Sequence, residues 1–105
     1  MKITTLFLLA ALLLAPVGPA FADQTTGRYP ACTRTHWLEQ MVQFAANGND
    51  ATYNAWINRG KCIELRKGLD VEILRYYGDA AHPRVEFVIN GFRFFTVREA
   101  IATAM

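Results

Sequence analysis

The side chains able to do chemistry are few in this chain, and their spacing excludes more than it suggests. Two cysteines, Cys32 and Cys62, lie far apart. A catalytic dithiol usually sits as Cys-x-x-Cys, and zinc sites gather their ligands in closely spaced pairs. Cys32 and Cys62 with His36 and His82 follow neither pattern, so no metal and no cofactor is expected. The chain has no serine, which removes Ser-His-Asp catalysis. It also lacks the glycine-rich and Walker-type runs that cradle phosphates. His36 falls at an expected helix start beside Trp37, and His82 precedes Pro83. Both read as solvated or capping histidines, and no catalytic residue is assigned. Asp70 and Glu72 sit at alternate positions of a strand-like run and would project to one side. A glycosidase needs two carboxyl groups flanking a cleft, whereas acidic side chains on a strand edge more simply discourage edge-to-edge pairing. The remaining signal is aromatic and basic: Tyr76, Tyr77, Arg93 and Phe95 are candidate partner-binding residues, since tyrosine and arginine are favoured at interfaces.

The first residues bear on the compartment. Met1-Lys2 is followed by an apolar run over residues 3–14, then by Pro16, Gly18 and Pro19, and by Ala20-Phe21-Ala22. Charged start, short greasy core and small residues at the end make the pattern of a secretory signal peptide. Residues 1–22 are therefore expected to be cleaved, leaving one domain over residues 23–105. The apolar core is short of the roughly 20 residues that a membrane span needs, and no later run matches it. The expected product is periplasmic or secreted, with no stable membrane insertion after signal removal. The mature part carries ten Lys and Arg against nine Asp and Glu. That balance, without a run of like charges, argues against nucleic acid as a partner. A domain this small is marginal on burial alone, and two cysteines in an oxidising compartment read as one disulfide, Cys32–Cys62.

Several elements must position these residues. Residues 23–35 lack periodicity and read as an extended arm. Thr35 is the expected N-cap of a first helix carrying Trp37, Leu38, Met41, Val42, Phe44 and Ala45 on one stripe. Asn47-Gly48-Asn49 ends it, and Asp50 is expected to cap a second helix over residues 51–59, closed by Gly60, so the two form an αα-hairpin. The period then becomes two. Strands are expected over residues 62–65, 69–77, 84–89 and 92–95, with Asn90-Gly91 specifying a type I′ turn between the last two. That turn sets Ile89 opposite Phe92 and Phe87 opposite Phe94, giving an apolar face with Val85. Val88, Arg93, Glu86 and Phe95 share a mixed face, joined by Leu74 and Tyr76 from the preceding strand. Thr96-x-x-Glu99 is a capping box, predicting a last short helix over residues 97–104.

The run Gly60-Lys61-Cys62-Ile63-Glu64-Leu65, followed by Lys67-Gly68-Leu69-Asp70-Val71-Glu72-Ile73, Val85-Glu86-Phe87-Val88-Ile89 and Gly91-Phe92-Arg93-Phe94-Phe95-Thr96, resembles bacterial SH3-like domains of exported proteins. In those chains a helical segment precedes the sheet, and a disulfide joins the N-terminal arm to the first strand. The resemblance covers about half of the mature chain. It implies an α+β fold: a helical hairpin packed on a small antiparallel SH3-like curved sheet or barrel. It supplies no catalytic residue. The expected function is a small exported, non-enzymatic binding module of the cell envelope, with an envelope or exported protein as partner. A small periplasmic enzyme (cell-wall hydrolase or redox helper) and a self-associating structural protein, such as a homodimer, are the alternatives.

Overall fold

A computed structural model of the chain describes residues 23–103. In chain order the elements are β1 (Gln24–Thr25), β2 (Pro30–Cys32), α1 (Thr35–Ala46), α2 (Asp50–Asn58), β3 (Cys62–Glu64), β4 (Glu72–Gly78), β5 (Pro83–Ile89), β6 (Phe92–Val97), a 3-10 turn (Arg98–Ala100) and β7 (Ile101–Ala102). The signal peptide expected over residues 1–22 lies outside the described residues, as does Ala104 at the end of the expected last helix.

The β5–β6 hairpin is the centre of the fold. Asn90 and Gly91 take φ of 52° and 85°, as a type I′ turn requires. Ile89 then faces Phe92, Val88 faces Arg93, Phe87 faces Phe94 and Glu86 faces Phe95. β4 joins β5 and β2 joins β6, and β3 completes a five-stranded antiparallel sheet of order β3-β2-β6-β5-β4. This sheet has two edges, β3 and β4, and does not close into a barrel. The arm expected to be extended or a loop is paired twice. β2 fills the slot between β3 and β6, and β1 forms a separate two-stranded sheet with β7. Arm pairing of this kind has no local sequence period, because its partners, β3, β6 and β7, lie well beyond the arm along the chain.

Two clusters fill the interior. On one side of the sheet Val85 and Phe87 are fully buried with Ala31, Leu65, Val71, Val97, Ala100 and Ile101, and Ile73, Ile89 and Phe94 pack against them. Each large apolar side chain removed from water in this way contributes about 1.5–3 kcal/mol. Phe92, expected in this core, is 68% exposed: it sits at the tip of the hairpin, beyond the layer that β1, β7 and the segment before β4 cover. On the other side Leu38 and Met41 from the stripe of α1 bury against Cys32 and Cys62, with Trp37, Phe44, Tyr53, Trp56, Ile57 and Phe95 around them. Phe44 and Trp37 each meet the Trp56 ring edge to face, which locks α1 to α2.

The disulfide forms between Cys32 and Cys62, which are directly opposite on β2 and β3. Their Cα atoms are 4.2 Å apart, the close spacing of a non-hydrogen-bonded antiparallel pair. Both are essentially buried. Closing a loop of separation 30 stabilises by roughly 3.5 kcal/mol in the chain-entropy model.

The ends of the helices differ from the expected caps. Arg34, not Thr35, is the N-cap of α1 and makes no side-chain cap bond. Asn49, not Asp50, caps α2, its side chain accepting from the Thr52 amide at 3.4 Å. The C-terminal helix is replaced by the single 3-10 turn and β7. Thr96 is instead buried within β6, paired with Ala31 and Val85, and its hydroxyl turns inward to donate to the Pro30 carbonyl at 2.8 Å. Ile101 then pairs with Thr25.

Candidate interaction face

Antiparallel neighbours directly opposite one another share a face, so the register decides which side chains meet. Arg84, Glu86, Val88, Arg93 and Phe95 lie on the face that receives the helices. The contribution of β4 changes midway. Ile73 is opposite Phe87, but Arg75 is opposite Glu86, because a bulge shifts the register between them. Beyond this extra residue the alternation inverts. Arg75 and Tyr77 join the helix-bearing face, and Tyr76, opposite Val85, leaves it. Of the four candidate residues the structure therefore brings Tyr77, Arg93 and Phe95 together and places Tyr76 on the opposite side. There Tyr76 is 52% exposed beneath the Arg98 guanidinium, 5.2 Å from its ring centre. Leu74 becomes the bulge residue and is exposed.

The helices cover this face unevenly. Phe95 is half-buried among the α1 and α2 side chains. Its ring meets Tyr77 edge to face at 6.0 Å. At the boundary Glu39 of α1 holds Arg84 of β5 in a two-point grip: Arg84 Nε donates to Oε2 at 2.7 Å and Nη2 to Oε1 at 2.8 Å. The side chain of Arg84 is buried and that of Glu39 half exposed. Arg84's hydrogen bonds hold the Glu39 carboxyl below its usual range, against the opposing effect of desolvation. Glu39 in turn raises the Arg84 pKa.

Toward β4 the face is open and charged. Glu86 is 6% exposed, yet two exposed arginines reach it: Arg75 Nε lies 2.5 Å from Oε1 and Arg93 Nη1 3.3 Å from Oε2. The Arg75 guanidinium also lies 4.8 Å from the Tyr77 ring centre. Tyr77 thus stands between the two ion-pair groups. Its hydroxyl is buried without a hydrogen-bond partner among the described residues. Desolvation is the main cause of its raised pKa, with Glu39 adding to it.

The other reactive groups are dispersed. His82 Nδ1 is 3.2 Å from Asp79 Oδ1, with both side chains exposed. The same oxygen accepts the Ala81 and His82 amides, and these bonds, led by the His82 amide, depress the Asp79 pKa. This is a loop-forming Asx turn. It depends on Gly78, whose φ is +90° and where any Cβ would collide with the His82 carbonyl oxygen. His36 is exposed at the start of α1 beside Trp37. Asp70 accepts from the Gln24 side-chain amide at 2.9 Å, and Glu72 is exposed on β4. Both line an open groove with Ile73, Val88 and the hairpin tip. Among the described residues no group of three or more His, Cys, Asp or Glu is placed to hold a metal ion. Among them too, no helix is long and apolar enough to cross a membrane.

The Glu39–Arg84 grip and the role of Arg75 were not legible beforehand. The opposite signs at the two ends of each pair carry no spacing rule when the partners lie on different elements. Comparison with known proteins finds no matching family model, no matching curated protein and no matching solved structure.

Proposed function

We propose that this chain is a small exported binding module of the cell envelope, with an SH3-like sheet as its platform, that captures an acidic segment of an exported protein. One observation carries the reading: Arg75 on β4 and Arg93 on β6 flank β5 on one sheet face, while a single buried carboxylate of β5, Glu86, holds both. Guanidinium groups fixed in this way give up little conformational freedom on binding, and arginine favours planar two-point recognition of carboxylates. The pair exceeds its one counter-charge, so a carboxylate-bearing partner is favoured. Tyr77 and Phe95 back the site with an aromatic wall. Export is supported by the leader-like first 22 residues and by the buried Cys32–Cys62 bond, since such bonds persist in oxidising compartments.

The test compares the mature protein with the variant Arg75→Gln/Glu86→Gln/Arg93→Gln, which removes all three charges together and so leaves no carboxylate unpaired. Proteins cross-linked to the wild-type domain in the host envelope should be lost with the variant, while both show the same thermal midpoint within a few degrees. Capture that survives the triple substitution refutes this face. Sizing chromatography at two concentrations separates a second copy of the chain from a different partner.

A further inference from the structure

A second basic site is built at the end of the β2–β3 pair, where the turn before β2 meets the turn after β3. Gly27 and Arg28 form one turn and Arg66 and Lys67 the other, and with Glu64 and Leu65 they line one groove. The turns are laced together. The Arg28 amide donates to Leu65 O at 2.8 Å, Leu65 N to Tyr29 O at 2.9 Å and Gly68 N to Thr25 O at 2.8 Å. The Thr25 hydroxyl donates to Arg66 O and accepts from the Leu69 amide. The backbone on both sides of the groove is therefore fixed. Among the described residues, Arg28, Arg66, Lys67 and Glu64 form no ion pair. Three cations face one carboxylate.

The backbone at Arg28 gives the independent clue. Its φ is 64°, in the left-handed region. Asn90 is the other described non-glycine residue there, and asparagine in an Asn-Gly turn is the ordinary choice. Arginine gains nothing from that conformation, which glycine adopts freely. Strain of this kind collects where a side chain is needed at a particular place. The residue that carries the strain here is an exposed arginine lining the groove with Arg66 and Lys67, and lining a neighbouring groove with Asp50 and Glu64.

We infer that the Arg28–Arg66–Lys67 groove is an anion site for a phosphate group, borne by a small phosphate compound or by a lipid headgroup. A multiply charged phosphate matches the surplus of cations, and arginine forks pair with its oxygens two at a time. The site is independent of the Arg75–Glu86–Arg93 face, and either can fail without the other.

The experiment uses the mature, oxidised protein and two probes: inorganic pyrophosphate by titration calorimetry, and vesicles of phosphatidylglycerol in phosphatidylcholine, against pure phosphatidylcholine, by co-sedimentation. The key variant is Arg28→Gly, which removes the charge and relaxes the backbone, so it should unfold at a higher temperature than wild type. Arg66→Gln/Lys67→Gln is the second variant. Binding of either probe that weakens at least tenfold in both variants, and weakens with added salt, supports the site. The responding probe names the source. Failure of wild type to bind either probe, or binding unchanged in Arg28→Gly, overturns it.

Discussion

Removing Glu39 should cost more than removing the arginine it holds. Arg84 has 7% of its side chain exposed and Glu39 49%, so the two halves of the pair face different alternatives. Without Arg84, Glu39 turns to water. Without Glu39, the Arg84 guanidinium stays under α1 with the Pro83 carbonyl, at 3.1 Å, as its remaining acceptor. Hydrogen bonds to charged groups contribute about 1.5–3 kcal/mol, and orphaning a fully buried charge costs about 3–5 kcal/mol. Glu39 is half exposed, which screens its share. We therefore expect about 2 kcal/mol for Glu39→Ala, below the fully buried range. Arg84→Met keeps the apolar stem and should cost about 1 kcal/mol. The double variant should cost no more than Arg84→Met alone, a coupling of about 2 kcal/mol in a double-mutant cycle. Urea unfolding followed by Trp37 and Trp56 fluorescence measures all three.

Acidity supplies an internal control. The folded-state pKa of Glu39 is lowered, so its contribution is present above the unfolded value of about 4.3. It is lost as pH falls through the lower folded value. The gap between wild type and Glu39→Ala should thus be full at pH 7, shrink below about pH 4 and vanish in stronger acid. A cost under about 0.5 kcal/mol at pH 7, strict additivity in the cycle, or a gap that persists in acid would refute the argument.

Two further outcomes follow from burial. Phe92→Ser should change stability by no more than about 0.5 kcal/mol, as for other exposed sites, whereas Phe87→Ala should cost about 3–5 kcal/mol. The same urea assay checks both, and a large cost at Phe92 would mean the hairpin tip is covered. Tyr77→Phe removes a buried hydroxyl that lacks a partner, so it should be neutral or stabilising by up to about 1 kcal/mol. Because the Tyr77 pKa is raised, the neutral phenol contributes stability below about pH 10 that fades as pH rises through the folded value; thermal melts of Tyr77→Phe should lose less than wild type above that pH.

What could be read from the chain was what its neighbours determine. Asn90-Gly91 carried the register of β5 and β6 residue by residue, and the stripe from Trp37 to Phe44 carried α1 and the side it buries. The αα-hairpin and the α+β class followed from those two signals. The bulge in β4 carries no such mark: Ile73-Leu74-Arg75 contains no glycine or proline, and only pairing with β5 reveals the extra residue. That slip is why Tyr76 and Tyr77 exchange faces and why Arg75 enters the candidate site unannounced. Thr96 shows the opposite case. Its capping-box spacing is real, but pairing with Ala31 and Val85 holds the residue extended and buried in β6, where its hydroxyl donates to the Pro30 carbonyl 66 positions away.

The position of the Cys32–Cys62 bond has a consequence for architecture. It joins two residues that the sheet already sets side by side, so everything from Thr33 to Lys61 is a ring whose base is covalently sealed. The α1–α2 unit is in effect an insertion hung from a rivet between β2 and β3. Length could change in the connection between α1 and α2 while the ring's two ends kept the same separation, provided that Leu38, Met41 and Glu39 kept their places against the sheet. Changes outside it have no such shelter: the arm before Cys32 must still reach Ile101 and Ala102.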